Sequence, residues 1–107
     1  MKKIYIASPY TKGRTSENVH ESMKAFDLLM QAGFAPFSPL LSHFQDISFP
    51  GHSYDAWLNL DIEWLSVCDA LVRLPGESPG ADIEVAYAIR HNIPVFYGLD
   101  EIIDTNQ

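Results

Sequence analysis

The sequence predicts an α/β fold built on a parallel sheet, and three features predict it. Short runs of β-branched and aromatic residues alternate with stretches of helical period, Gly and Pro punctuate the joints, and no repeat or low-complexity segment interrupts the order. Residues 3–7 (KIYIA) form the first expected strand, cut off by Ser8-Pro9. Thr15 or Ser16 then caps a helix with Glu17 in its first turn, in which Val19, Met23, Phe26 and Met30 repeat at helical spacing until Gly33 stops it. Residues 34–37 read as a second strand, placed at a sheet edge because Pro36 lacks a ladder donor.

Residues 38–52 (SPLLSHFQDISFPGH) show no sustained period and are expected to be a long irregular loop, a class that tends to be functional. Ser53 caps a third segment, helical to about Val67, with Trp57, Leu58, Trp64 and Leu65 on its apolar side and Asp61 among them. A strand at 69–74, a loop at 75–80, a helix from Ala81 to about His91 and a strand at 94–97 complete a βαβαβαβ order. The expected whole is one domain over residues 1–107, with about four parallel strands flanked by helices in a Rossmann-like or flavodoxin-like arrangement. Ligands of such sheets bind at the carboxyl ends of the strands, which selects residues 8–14, 38–43 and 75–84.

The composition, 47% hydrophobic and 20% charged, is that of a soluble globular protein. A formal charge of -7 with only 7 Lys and Arg argues against binding long nucleic acid through its backbone, yet leaves room for a small anion held locally. One cysteine, Cys68, excludes a disulfide framework and makes a cytoplasmic setting the default expectation. Neither a signal sequence nor a membrane-spanning stretch is read from the chain. Burial is limited at 107 residues, so pairing into a homo-oligomer is expected to help.

Several side chains in the selected segments carry chemistry. Glu84 is expected in the first turn or so of its helix, where unpaired amides and the helix dipole favour an ionised carboxylate and depress its pKa; such a group is either a nucleophile or a plain offset to the dipole. Asp61 points toward the core side of its helix and needs a ligand or a structural partner. Ser78 and the backbone up to Gly80 form a potential anion cradle. Tyr5 and Tyr10 offer aromatic faces to a base, with core packing the competing role for Tyr5. His43 suits proton transfer or a polar contact, or is simply solvated; Asp69 reads as a ligand contact or a solvated turn residue. No metal-ligand spacing appears, and the glycines fit neither GxGxxG nor a Walker loop, so no metal and no cofactor is expected.

Residues 61–88, DIEWLSVCDALVRLPGESPGADIEVAYA, resemble the signature of the nucleoside 2-deoxyribosyltransferase-like family, which includes relatives that hydrolyse deoxynucleoside 5'-monophosphates. The matching positions are Asp61, Cys68-Asp69, Ser78 with Gly80, and Glu84, and IYIASPY resembles the family's opening through Tyr5, Ser8 and Tyr10. The SPLLSHF segment is similar to a compact branch of that family. The resemblance implies cleavage of an N-glycosidic bond by Glu84, transfer of the sugar to a base or water, sugar or proton handling by Asp61, and a small nucleoside or nucleotide as partner. Ser78, Lys12 and Arg14 lean toward a phosphorylated substrate. The alternative is a nucleotide-binding module without turnover.

Overall fold

A computed structural model describes residues 1–105. Four parallel strands, β1 (Lys3–Ala7), β2 (Ala35–Phe37), β3 (Ala70–Arg73) and β4 (Val95–Phe96), lie in the order β2-β1-β3-β4. The expected α/β architecture is therefore present. Ile4 pairs with Pro36 on one side and Ala70 on the other, so β1 and β3 form the centre and their carboxyl ends flank the point where the strand order reverses. Strand alternation divides the core. Ile4, Ile6, Ala70, Val72 and Leu74 pack under helix α1 (Thr15–Gln31) and helix α5 (Leu99–Thr105). Tyr5, Ala7 and Leu71 face the other way, with Leu65 of α3 (Tyr54–Leu65) and Ala81 and Ala88 of α4 (Pro79–Arg90).

Several elements depart from the sequence expectation, each for a local reason. Helix α1 buries Ser22, Ala25 and Leu29, while Met30 is exposed; two of the three are small, so the buried stripe lies beside the bulkier row that the periodicity emphasised. Its N-cap is Arg14, without a side-chain cap, and Thr15 and Ser16 lie inside the helix. Asn18 instead ties the entry loop down, its Nδ2 donating to the carbonyls of Tyr10 (3.0 Å) and Lys12 (2.7 Å).

Residues 38–52 are not irregular throughout. A 3-10 turn at Pro39–Ser42 runs into a short helix, α2 (His43–Ser48). Ser38 starts the turn by accepting from the Leu40 amide, with Pro39 at the first helical position. Both are too short to show a period in sequence. Ser53 caps α3 as expected, accepting from Ala56 N at 3.1 Å. Trp64 does not sit in the core: it is 52% exposed and stacks on Phe37. The seven-residue α5 was not foreseen, although Leu99, Ile102 and Ile103 repeat at helical spacing and Ile102 is fully buried. No described helix is long and apolar enough to cross a membrane.

Candidate active site

A cleft of about 660 Å3 opens over the carboxyl ends of β1 and β3, on the face covered by α3 and α4. Ser78 sets its floor. As N-cap of α4 it accepts from Ala81 N at 3.1 Å, and Pro79 follows at the first helical position. The helix thus begins two residues earlier than the sequence suggested, which moves Glu84 out of the first turn. Ala81, Glu84 and Ala88 form its buried stripe, and Glu84 is 4% exposed while still lining the cleft.

Burial pushes the Glu84 carboxyl up from 4.5 to about 8. The Tyr5 hydroxyl and the Arg73 guanidinium pull the other way, and the charge of Asp61 adds to the rise. This corrects the expected depression by the helix dipole: the dipole acts chiefly on the first turn, and desolvation of a nearly enclosed carboxylate outweighs it. Tyr5, 0% exposed in the middle of β1, donates its hydroxyl to Glu84 Oε2. Tyr5 is therefore a brace beneath Glu84 and does not line the cleft, so the open aromatic face expected of it is absent. Burial and the neighbouring carboxylates hold its phenol in the neutral form, a hydrogen-bond donor.

Asp61 lines the same cleft from α3, and its carboxylate makes no hydrogen bond with the described residues. Partial burial raises its carboxyl from 3.8 to about 7. Two carboxyl groups thus share one apolar-walled space with affinities for protons brought near neutrality, a pattern associated with acid–base sites.

The loop after β1 supplies the opposite wall. Ser8, Tyr10 and Lys12 line it, with Gly80 of α4 across from them. His43 does not line the cleft; its Nδ1 lies 2.5 Å from the Tyr10 hydroxyl, so it steadies Tyr10 from α2. Asp69 is not part of this assembly. It stands at the amino end of β3, where Oδ2 accepts from Lys3 N at 2.7 Å, at the opposite end of the strands from Ser78. Arg14 is likewise turned to solvent, paired with Glu17 at 3.2 Å. Among the described residues no group of three or more His, Cys, Asp and Glu stands together in a way that holds a metal ion.

Sequence reasoning missed the residues that the α2–α3 segment brings in. Asp46, His52, Tyr54 and Trp57 all line the cleft, with His52 set edge-on to Trp57 at 5.6 Å. The Tyr54 hydroxyl lies over Gly80, where a Cβ would come within 3.1 Å of it. Arg73 was also missed: its guanidinium donates to the Leu74 and Gly76 carbonyls and to Asp82, fixing the loop that leads to Ser78. The density of aromatic and histidine residues in a segment following a strand end was the available signal.

Among solved structures, the chain is similar to the 2-deoxyribosyltransferases of Bacillus psychrosaccharolyticus and Leishmania mexicana, each at 20% identity and a TM-score of 0.60. The likeness takes in 87% and 89% of this chain but 69% and 62% of theirs, and at that identity it establishes the fold. No curated protein matches the chain. Residues 2–98 match the profile of a family described as a domain of unknown function, DUF7768, and since that match spans nearly the whole sequence, the chain belongs to this family.

Proposed function

We propose that this protein cleaves the N-glycosidic bond of a nucleoside or nucleoside 5'-monophosphate, passing the sugar to another base or to water. The observation that carries the reading is the Glu84 carboxyl, buried at the floor of the cleft and held by the Tyr5 hydroxyl with Asp61 beside it. The fold shared with 2-deoxyribosyltransferases supports it. In the first step a Glu84 oxygen attacks the anomeric carbon while the C–N bond breaks and its electron pair leaves with the base. Asp61 delivers the proton that the departing base requires. A second base or a water then attacks the anomeric carbon of the glycosyl ester from the opposite side, giving its N–H or O–H proton to Asp61 while the C–O bond to Glu84 breaks and frees the carboxylate, and configuration is retained.

A phosphorylated substrate is supported by Lys12, by the amides at the start of α4 and by Ser78, whose hydroxyl proton remains free after its oxygen has capped the helix. His52 and Trp57 offer the base an aromatic wall. The runner-up is binding without turnover, favoured by one fact: a group raised to about 8 is mostly neutral at pH 7 and a poor nucleophile. Incubation with a panel of nucleosides and monophosphates, with and without a free acceptor base, separates the readings. Base release abolished by Glu84→Gln supports the enzyme; ligand-induced stabilisation without product supports the module. If monophosphates are cleaved faster than nucleosides, and Lys12→Ala removes that difference, the phosphate reading stands.

A further inference from the structure

A second cavity, of about 310 Å3, opens on the other face of the sheet, under α1 and the start of α5. Ser8 borders both cavities. It follows Ile4 and Ile6 in the alternation of β1, is 8% exposed, and its hydroxyl has no hydrogen-bond partner among the described residues. A buried hydroxyl in that condition is costly unless something else satisfies it. The remaining walls are mainly apolar, from Ala25, Leu28, Leu74 and Leu99. On the rim stand one acid and one base, Glu21 and Lys24, neither in an ion pair with a described residue.

This lining does not suit a simple ion, because its two charges cancel. It suits a compact apolar body that presents donors and acceptors along one edge to a hydroxyl, a carboxylate and an ammonium group. We propose that the cavity is a second ligand site for a small neutral heterocycle of nucleobase type, and that its occupancy acts on the main cleft. The choice of a nucleobase rests on the proposed reaction, which releases one; the existence of the site rests on the lining alone.

The route between the two sites is short. Pro9 and Pro75 border the second cavity, and Pro9 packs so closely on Gly76 that a Cβ there would sit 2.8 Å from its Cγ. The loops after β1 and β3 are thereby keyed together, and they carry Tyr10, Lys12 and Ser78 to the main cleft. A ligand wedged beneath Pro9 shifts the groups that grip the substrate.

Amide chemical shifts of the full chain, titrated separately with adenine and uracil, test the proposal. The expected result is saturable perturbation at residues 18–28 and 99 with at least one base, retained in Glu84→Gln. Leu28→Trp, at a position 37% exposed and outside the main cleft, is expected to weaken that binding about tenfold or more while the rest of the spectrum stays folded. Absence of shifts at α1 with both bases, or shifts unchanged in Leu28→Trp, overturns it. Base release is measured separately, so a protein that binds a base under α1 but cleaves nothing refutes the reaction and keeps the site.

Discussion

Glu84 and Tyr5 act as a unit, and their chemistry sets the most direct expectations. With Asp61 raised to about 7 and Glu84 to about 8, the form holding a single proton between them dominates between those values. Turnover in the proposed mechanism uses that form with the proton on Asp61, so kcat/KM is expected to trace a bell with its maximum between pH 7 and 8. Glu84→Gln is expected to lower base release on the order of 10³-fold or more. The same variant gains stability. Between about pH 4.5 and 8 the folded protein keeps a proton on Glu84 that the unfolded chain has released, so stability falls as pH rises across that window. At pH 8.5 Glu84→Gln should therefore resist thermal unfolding better than the parent, by on the order of 4–5 kcal/mol, and lose that advantage near pH 4. Tyr5→Phe removes a bond that lowers the Glu84 pKa, so the alkaline limb of the bell should move to higher pH while its maximum falls, with about 1–2 kcal/mol of stability lost.

Which of these residues announced themselves in the sequence follows from the length of the element that carries them. Asp61 stands out because it interrupts an apolar helical stripe, and Glu84 because it follows a Gly- and Pro-rich loop into a helix start, both visible in one dimension. Asp46, His52 and Tyr54 interrupt nothing, since the segment around them has no period to break. Asp69 was selected by its neighbours in a motif, and only the strand direction reveals that it lies at the wrong end of the sheet.

At the scale of elements, the wall formed by the 3-10 turn and α2 depends on a buried polar contact. Ser22 of α1 and Ser38 lie 2.5 Å apart through their hydroxyls, both fully buried, and Ser38 also caps the turn. Ser38→Ala removes the cap and strands the Ser22 hydroxyl, with an expected loss of about 1–3 kcal/mol by chemical denaturation. In the double variant Ser22→Ala, Ser38→Ala the stranded group is gone, so the combined loss should be smaller than the sum of the single ones. The long helices were legible because their burial repeats over several turns. Helix α4 was legible only to within its first turn: Ser78-Pro79 is a cap followed by proline, the same signal as Ser38-Pro39, and at both places the glycine- and proline-rich setting disguised it as loop.

For the molecule as a whole, the parallel direction of the strands follows from their alternation with helices, whereas the order β2-β1-β3-β4 comes from the structure and brings the ends of β1 and β3 together at the reversal point. The surface was harder to foresee. Phe44, Ile47 and Phe49 are 71%, 62% and 69% exposed, and α2 buries no residue at all. An apolar stripe of this kind on a chain expected to pair is consistent with contact to a second copy. Sedimentation velocity across a concentration series should show reversible association, weakened in Phe44→Ser; a strictly monomeric parent would remove the expectation.

The outer margin of β2 carries a further consequence for behaviour in a crowded solution. Ala35 donates to Lys2 across the pair with β1, so the next residue, Pro36, presents its ring nitrogen outward, where any other residue would offer an N–H. The opposite margin, β4, is only two residues long. A sheet whose one flank lacks a donor and whose other is a stub gives foreign strands little to zip onto, which protects against fibril growth without adding a single charge.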